Sequence, residues 1–169
     1  MKEIRFRDDI LPLKDKLFRL ALRVTLNRSE AEDIVQDTLM KLWERREEWN
    51  TIQSLEAFSM TICRNLALDR NKAARNSNAQ LNEEFDAPPD NITPLDEVDS
   101  KMRLEMLRRL IDGLPETQRS IILLRDTEGK TYDEIAEILK LSESQVKVYL
   151  HRARQKIREQ FARIERHGL

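Results

Sequence analysis

Side chains suited to binding a polyanion are concentrated near the end of the chain, in the stretch QVKVYLHRARQKIRE. Residues 140–169 contain eight Lys and Arg residues but only three Asp and Glu residues. Each phosphate that such a cation neutralises adds a salt-dependent increment to the affinity for nucleic acid. A basic helix face is nevertheless often just a solvated face, so charge alone leaves both interpretations open. The elements that carry these residues help to decide between them.

Two short helices joined by a tight turn are predicted to position this basic segment. Thr131 is a favourable N-cap for the first helix, and Glu134 follows at the spacing of a capping box. Ser142 and Gln145 repeat this pattern at the start of the second helix. Ala136 is small enough to let the helices approach each other closely. These features are typical of a helix-turn-helix, whose second helix enters the major groove of DNA. We therefore predict that this segment binds duplex DNA.

The second helix is predicted to bury one face and expose the others. Its apolar residues are spaced by four, three, four and four positions, at Val146, Leu150, Ala153, Ile157 and Phe161. The remaining faces are polar and basic, so they would meet phosphates. The preceding helix has acidic residues in its first turn, where the helix dipole favours negative charge. The charge therefore changes sign where a supporting helix is followed by the helix that faces DNA.

Apolar residues at helical spacing also predict three helices in the first part of the chain. Their stripes are Leu13, Leu17, Leu20, Ala21 and Val24; then Ala31, Ile34, Val35, Leu39, Leu42 and Trp43; then Leu55, Phe58, Ile62, Leu66 and Leu68. Ser29 is the predicted N-cap of the middle helix, with Glu32 as its capping-box partner. Three such helices with short connections predict a small bundle, in which Trp43 lies in the core and Cys63 is a small buried or half-buried residue.

An acidic stretch separates these helices from the C-terminal ones. Residues 76–100 contain seven Asp and Glu residues, three of the five prolines and no Lys or Arg. The apolar residues there lack helical spacing, and an unstructured segment of this length is unusual inside one compact domain. We therefore predict an all-α protein with a helical bundle in residues 1–76, an acidic flexible linker in residues 77–98 and a helix-turn-helix domain in residues 99–169.

The composition argues against several other classes of protein. The chain of 169 residues is 40% hydrophobic and 36% charged, and it has no apolar run long enough to span a membrane. Its single cysteine cannot form an internal disulfide, and the first residues lack a signal-peptide core, so we expect a cytoplasmic protein. Three dispersed glycines and two isolated histidines offer neither a phosphate-cradling loop nor a catalytic cluster. We expect no catalytic residue, no metal site and no cofactor.

Two parts of the chain together resemble one protein family. The stretch LPETQRSIILLRDTEGKTYDEIAEILKLSESQVKVYLHRARQKIRE is similar to the C-terminal DNA-binding domain of bacterial RNA polymerase sigma factors, above all the small extracytoplasmic-function group. In the first part, SEAEDIVQDTLMKLWER resembles the helix by which these factors dock on polymerase. The stretch FSMTICRNLALDRNKAAR resembles their promoter-melting segment. The resemblance implies a protein that binds core RNA polymerase, directs it to promoters and opens the DNA.

The resemblance implies that one set of residues, in the recognition helix, contacts the −35 element as duplex DNA. Lys147 and Arg152 match positions where the family contacts DNA, and a long cation can reach a guanine edge or a phosphate. Val148 would contact a thymine methyl, while for His151 a base contact and a simple surface position remain equally good interpretations. A basic residue is frequent in the family where this chain has Tyr149, which could still donate a hydrogen bond. The predicted −35 residues are Ser144, Gln145, Lys147, Val148, His151, Arg152 and Arg154.

The resemblance also implies that a second set of residues meets the melted −10 element. Asn65 matches a family position near the extruded base. Strand opening needs polar groups for the unstacked base and cations for the single strand. Trp49 lies in EEWNTIQS, which is similar to the family loop that cradles this base; its ring would either stack there or fill the core, as such tryptophans more often do. The predicted −10 residues are Trp49, Arg64, Asn65, Asp69 and Arg70.

A polar ridge on the second predicted helix is the candidate surface for core polymerase. It consists of Asp33, Gln36, Asp37 and Lys41, which lie off the apolar stripe. One interpretation is a solvated face with an Asp37–Lys41 ion pair at favourable spacing. The resemblance implies instead that this ridge meets the polymerase clamp, and we favour that interpretation. A carboxylate metal site is disfavoured because no histidine or second carboxylate helix is near in sequence.

The partners implied by the resemblance are core RNA polymerase, promoter DNA (double-stranded at −35, single-stranded at −10) and an anti-sigma factor, without insertion into a membrane. The main alternative is a stand-alone helix-turn-helix regulator that binds promoter duplex without polymerase, although no separate dimerisation stripe is evident. A helical nuclease would need a catalytic cluster, and an adaptor that binds only polymerase would not need basic helices. The acidic linker is either a solvated tether or, as in the family, a segment lying in the positively charged nucleic-acid path of polymerase.

Overall fold

The computed structural model describes residues 3–77 and 100–167, and the regular structure in these two ranges is entirely helical. The ranges contain α1 (Lys14–Thr25), α2 (Arg28–Glu44), α3 (Leu55–Ser77), α4 (Ser100–Asp112), α5 (Glu116–Ile122), α6 (Tyr132–Leu139) and α7 (Glu143–His167). Shorter helical turns are π-helical at Phe6–Ile10 and Leu123–Thr127, and 3-10 at Leu11–Leu13 and Arg46–Thr51. The predicted all-α class is confirmed. Within these ranges, no helix is both long and apolar enough to cross a bilayer.

The first unit, residues 3–77, contains the predicted bundle of α1, α2 and α3. Its core consists of Leu17, Leu20, Ala21 and Val24 of α1, Ala31, Ile34 and Val35 of α2, and Ala57, Met60, Cys63 and Ala67 of α3. The burial of Cys63 agrees with the prediction. The stripe predicted for α3 is only half-buried, at Leu55, Phe58, Ile62, Leu66 and Leu68. The predicted third helix is therefore present, and its stripe packs at the edge of the buried clusters, while α3 also packs against α6.

The second unit, residues 100–167, is built around α5, α6 and α7. Gly113, Leu114 and Pro115 interrupt the helix as predicted, so α4 ends at Asp112 and α5 begins at Glu116. The core of this unit consists of Leu114, Ile121, Ile122, Leu123, Leu124, Ile135, Ile138, Leu139, Val146, Leu150 and Ala153. The last three lie on the predicted apolar stripe of α7, which therefore faces inward.

Helix caps in the second unit match the prediction, whereas the cap of α2 does not. Thr131 accepts a hydrogen bond from the backbone N–H of Glu134 at 3.2 Å, and the Glu134 carboxylate accepts one from the N–H of Thr131 at 3.0 Å. In the first unit, α1 ends at Thr25, and its C-cap, Leu26, is left-handed with φ 56°. The next residue, Asn27, caps α2 by accepting from the N–H of Glu30 at 3.0 Å. Ser29 is therefore inside the first turn of α2, and its predicted capping role was wrong.

The two units share a single hydrophobic core. One cluster of buried side chains includes residues of α1, α2 and α3 together with residues of α5, α6 and α7. The contacts between units run from α1 to α5 and from α3 to α6. The linker predicted for residues 77–98 lies outside the described residues, apart from Ser77, which is the last residue of α3. The boundaries predicted for the two domains stay a prediction.

A second, smaller cluster lies at the far end of α2. Ile10, Leu42 and Trp49 are its buried residues, and Trp49 is only 5% exposed. The indole N–H of Trp49 donates to the carbonyl of Leu42 at 2.9 Å. The ring of Trp43 packs edge-on against Trp49 and Phe6, yet 49% of Trp43 is exposed. The prediction of Trp43 as a core residue was therefore wrong: Trp49, from the following 3-10 turn, fills that place.

Candidate nucleic-acid interface

The seven residues predicted to contact −35 DNA all lie exposed on α7. They are brought together because Val146, Leu150 and Ala153 fix the opposite face of the helix in the core. Val148 is 45% exposed, which is a high value for an aliphatic side chain. The result is a continuous surface of polar, basic and one apolar side chain along the first three turns of the helix.

The start of α7 is held by reciprocal capping contacts and by the preceding turn. The backbone N–H of Gln145 donates to the Ser142 hydroxyl at 3.1 Å, and the N–H of Ser142 donates to the Gln145 side-chain oxygen at 2.9 Å. In the turn, Lys140 is left-handed with φ 57°, and the N–H of Leu141 donates to the Ala136 carbonyl at 2.9 Å. The side-chain oxygen of Gln145 accepts a hydrogen bond within the cap. The side-chain NH₂ of Gln145 is therefore the group that can contact another molecule.

Lys147 lies beside an aromatic ring that sequence reasoning missed. Its ammonium nitrogen is 5.4 Å from the ring centroid of Tyr132, the first residue of α6. The guanidinium of Arg125 is 4.4 Å from the same centroid. Cations at such distances are attracted by the ring quadrupole. The sequence did contain a signal for this contact: Tyr132 directly follows Thr131, the N-cap of α6. An aromatic side chain at that position lies next to α7.

Arg154, among the predicted −35 residues, forms a salt bridge with an acidic side chain of the preceding turn, Asp126. Its guanidinium binds the carboxylate of Asp126 through two nitrogens, Nε and Nη2. The hydrogen bond to Asp126 raises the pKa of Arg154 further above its usual range. Arg154 therefore contributes less free positive charge to the face than Lys147 or Arg152.

The residues predicted to meet the −10 element differ in their burial and in their ion pairs. Arg64 is 8% exposed, and its Nη2 lies 2.9 Å from the Glu116 carboxylate of the second unit. Asn65 is half-buried and Asp69 is exposed, and both lie on α3. Arg70 donates to Glu30 of α2 at 2.6 Å. Thus four of the five residues share one helix, but its two arginines are paired with acidic residues.

Trp49, the fifth of these residues, does not lie on the same surface. Its ring is buried and stacks on Phe6, with 6.5 Å between the ring centroids, and its N–H has a backbone acceptor. This placement agrees with the core interpretation of Trp49. A stacking role on an extruded base would require the small cluster around Leu42 to open.

The predicted polymerase ridge is present on α2 and is linked to α3. Asp33, Gln36 and Lys41 are exposed, and Asp37 is half-buried. Arg70 lies 3.3 Å from the Asp37 carboxylate and 3.7 Å from that of Asp33. The interpretation of this ridge as a solvated face had paired Asp37 with Lys41 instead. The hydrogen bond to Glu30, with the charges of Asp37 and Asp33, raises the pKa of Arg70. The guanidinium of Arg70 therefore lies among three carboxylates of α2, those of Glu30, Asp33 and Asp37.

An apolar groove continues this ridge towards the end of α2, and sequence reasoning missed it. The groove has a volume of about 440 Å³ and is lined by Phe6, Leu39, Met40, Trp43 and Glu44. Met40 is 63% exposed, more than either Trp43 or Leu104. The signal in the sequence was that Met40 falls between the positions of the apolar stripe, so a large apolar residue had to face outward.

Comparison with known proteins supports both halves of this arrangement. Residues 10–77 match the family model described as Sigma-70 region 2, and residues 104–157 match that described as Sigma-70, region 4. Among curated proteins, the chain is 31% identical over 138 residues to an ECF RNA polymerase sigma factor, SigL, of Mycobacterium tuberculosis, covering 81% of this chain and 77% of SigL. It is 27% identical over 165 residues to the ECF sigma factor SigW of Bacillus subtilis, covering 92% and 88% of the two chains.

A solved structure gives the same result for the whole arrangement. The sigma factor RpoE of Bartonella quintana, in complex with the anti-sigma factor NepR, superposes with a TM-score of 0.68 at 25% identity, covering 91% of this chain and 94% of RpoE. The predicted family is thus confirmed, and the stand-alone regulator is not favoured, because such a regulator does not account for the region 2 match. The chain belongs to the ECF group of RNA polymerase sigma factors, which direct polymerase to specific promoters.

Proposed function

We propose that this sigma factor reads the −35 element as duplex through α7, reads the melted −10 element through α3, and docks on core polymerase through α2. The observation that carries the proposal is the exposed face of α7, on which seven polar, basic or small apolar side chains share one side of a capped helix. A helix of this kind fits the major groove, which is about 12 Å wide. We keep residues 1–76 and 99–169 as the boundaries of the two functional domains.

The −35 contacts divide into base-reading and phosphate-binding groups. Lys147 and Arg152 have long cationic side chains that reach a guanine edge or a phosphate, and Val148 offers a methyl-sized contact to thymine. Ser144 and the amide NH₂ of Gln145 lie in the first turn, the part of a recognition helix that approaches the bases. Arg154 shares its charge with Asp126 and is assigned a phosphate. His151 is exposed and lies one turn beyond Lys147, where a backbone contact is the simplest role.

The −10 contacts are assigned to the polar residues of α3. Asn65 is placed to accept and donate hydrogen bonds with an unstacked base edge, and Asp69 lies one turn further along the same helix. Arg64 and Arg70 are the cations for the single strand, once they exchange their protein carboxylates for phosphates. Trp49 is assigned to the support of this surface, because its buried ring holds the turn before α3 in place.

We assign the binding of core polymerase to the ridge and the groove of α2. Asp33, Gln36, Asp37 and Lys41 offer charged and polar contacts, and the adjoining groove around Met40 and Trp43 offers apolar area. Interfaces gain most of their affinity from such a buried apolar centre with a polar rim. Arg70 keeps the carboxylates of the ridge from repelling one another in the free protein.

Further partners follow from the family. The similar structure of RpoE contains an anti-sigma factor, and we propose that this chain is also controlled by one. Since its target is polymerase, we place the protein in the cytoplasm. Sigma factors are DNA-binding initiation factors, and we propose that this chain contributes binding and strand separation without a catalytic group of its own.

Run-off transcription tests the whole proposal. Purified chain is mixed with bacterial core polymerase and a library of promoter fragments, and the transcripts are sequenced. We expect discrete start sites that share two upstream sequence elements and that vanish when either component is omitted. Failure to associate with core polymerase, or association without any start site, would reject the proposed function.

A further inference from the structure

The aromatic ring of Tyr132 lies beside the predicted recognition helix α7. Tyr132 is the first residue of α6 and directly follows Thr131, whose capping box with Glu134 fixes the start of that helix. Its side chain is half-buried and packs against the main hydrophobic cluster. Because the cap fixes the backbone and the core supports the ring, the exposed part of the ring has a defined place next to α7.

Arg125 supports this ring from the preceding segment of the chain. It belongs to the π-helical turn Leu123–Thr127, and its guanidinium carbon is 4.4 Å from the centroid of the Tyr132 ring. The Nη1 of Arg125 also donates to the carbonyl of Lys130 at 2.8 Å, and the side chain is half-buried. The guanidinium is therefore anchored independently of the ring, and a ring that turned away would lose a favourable contact with it.

Lys147 reaches the same ring from the other helix of the motif. Its ammonium nitrogen is 5.4 Å from the ring centroid, within the range of attraction between a cation and a ring. The lysine side chain is exposed, and its four-carbon stem has many rotamers of similar energy. Attraction to a fixed ring therefore reduces the number of positions that the ammonium group visits before DNA arrives.

An aromatic ring and a carboxylate hold a cation with different consequences for its charge. Arg154 is held by an ion pair with Asp126, so a phosphate that binds Arg154 has to compete with that carboxylate. The Tyr132 ring carries no net charge and attracts Lys147 through its quadrupole. Lys147 therefore keeps its full positive charge while it is held. The ring contact orders the side chain without weakening its attraction to DNA.

We propose that Tyr132 is a positioning residue for recognition of the −35 element: its ring, braced by Arg125, holds the Lys147 ammonium where it meets the duplex and stays in contact with it in the complex. The inference rests on the proposed contact of Lys147 with −35 DNA. Tyr132 acts through Lys147, because a side chain that is already ordered loses less freedom on binding. The first residue of the supporting helix thus helps to set the affinity for the promoter.

Nuclear magnetic resonance of the full-length chain tests the contact before DNA is added. Protons over the face of an aromatic ring resonate upfield, because the circulating ring electrons oppose the applied field there. The ε-methylene protons of Lys147 should therefore lie upfield of those of Lys156, which is exposed on the same helix. Tyr132→Leu should remove this difference, and Tyr132→Phe should keep it. Equal shifts for Lys147 and Lys156 in the wild-type chain would overturn the proposal.

The affinity for duplex promoter DNA tests the consequence of the contact. Holoenzyme made from the full chain and bacterial core polymerase is titrated with a labelled promoter fragment obtained by run-off selection, under conditions that keep the strands paired. Tyr132→Leu should weaken binding about two- to fivefold, the size of an exposed contact between a cation and a ring. In the Lys147→Ala background the same change should have little further effect. An equal loss in both backgrounds, or tighter binding by Tyr132→Leu, would overturn the proposal.

Two control variants separate the ring from general packing. Tyr132→Phe keeps the ring and should keep the coupling to Lys147; loss of that coupling would show that the hydroxyl, and not the ring, matters. Phe161→Leu removes another half-buried ring from α7, about 21 Å along the helix from Lys147, and should leave the Lys147 signal and the coupling unchanged. If wild-type holoenzyme forms no promoter complex, the proposed function itself is rejected. A normal wild-type complex without coupling rejects the role of Tyr132 alone.

Discussion

Candidate DNA-binding residues are presented in opposite ways by the two units. On α7 the side chains of Ser144, Lys147 and Arg152 are exposed, and the opposite face of the helix is fixed in the core. On α3 the side chain of Arg64 is buried against Glu116 of the other unit, and Arg70 is bound by carboxylates of α2. One candidate surface is exposed, and the arginines of the other are held by carboxylates of the protein itself.

This difference suggests how much rearrangement each proposed contact needs. The exposed helix needs no rearrangement to approach duplex DNA, so its affinity depends mainly on charge and on base contacts. The two arginines of α3 are paired with protein carboxylates, so the proposed −10 contacts would require these ion pairs to be exchanged for phosphates. We therefore expect the proposed duplex contact of α7 to need less rearrangement than the proposed −10 contact of α3.

The largest expected effect on stability comes from replacing the two tryptophans of the first unit. These variants test whether Trp49 belongs to the core and Trp43 to the surface. Trp49→Ala removes a ring that is 5% exposed, so it should reduce the free energy of unfolding by about 3–5 kcal/mol. Trp43→Ala removes a ring that is half exposed, and it should reduce that free energy by less than ~1.5 kcal/mol. Denaturant unfolding of both variants measures the difference. Equal losses, or a stable Trp49→Ala protein defective only in −10 binding, would break this division.

Lys147 and Asn65 test the division of labour between the units directly. Lys147→Ala should weaken promoter binding through the −35 element by about 1–3 kcal/mol, because a base or phosphate contact is lost. Asn65→Ala should leave that binding nearly unchanged and slow strand opening. Run-off assays on a fully paired promoter and on one with a pre-melted −10 region separate the two steps. The pre-melted template should largely rescue Asn65→Ala but not Lys147→Ala, and loss of duplex affinity alone in both variants would contradict the scheme.

The second unit was the easier one to predict from sequence because its signals are local. The capping pairs of α6 and α7 each lie within four residues, and both form as expected. The turn between these helices and the buried face of α7 follow from the same short segment. When capping, turn and periodicity agree in this way, the local fold is strongly specified.

The first unit depended on contacts that no local pattern contains. The partner of Arg64 is 52 positions away in the sequence, and the α2 carboxylates bound by Arg70 are at least 33 positions away. Trp43 lay on a regular apolar stripe, yet the later Trp49 occupies the buried place beside Leu42. The periodicity of apolar residues identifies a helix. It cannot say which face of the helix is most deeply buried when other helices cover more than one face.

The cap of α2 offers a smaller test of the same contrast. Asn27→Ala should cost about 1 kcal/mol of stability, because the N–H of Glu30 loses its acceptor. Ser29→Ala, at the position that the sequence pattern favoured, should change stability by less than ~0.5 kcal/mol, since this residue lies inside the helix. Thr131→Ala in the second unit should resemble Asn27→Ala. Thermal unfolding of the three variants measures these losses of stability. A larger loss of stability in Ser29→Ala than in Asn27→Ala would restore the prediction that Ser29 caps α2.

Acid provides the mildest perturbation of the contact between the units. Burial raises the pKa of Glu56, but hydrogen bonds from Lys130 and Lys16 outweigh it, so the pKa is lowered from its ordinary value of 4.5. A lowered carboxylate pKa contributes stability that is fully present above the ordinary value and is lost as the pH falls through the folded-state value. The protection of amides at the packed faces of α3 and α6, measured relative to the intrinsic exchange rate at each pH, should therefore be high at neutral pH and should fall below pH 4.5.

Glu56→Gln supplies the control for this acid response. Protection of the same amides should be lower at neutral pH, because Lys130 then loses its closer carboxylate partner and keeps Glu134 at 4.0 Å, and it should change less on acidification. Glu134, whose pKa is lowered by the hydrogen bond from the Thr131 backbone, titrates in the same range, but its loss should affect the first turn of α6. An acid response confined to that turn and unchanged in Glu56→Gln would show that the carboxylate between the two lysines does not help to hold the units together. The contact between the units would then depend on apolar packing and on the other ion pairs, such as Arg64–Glu116 and Arg19–Glu128.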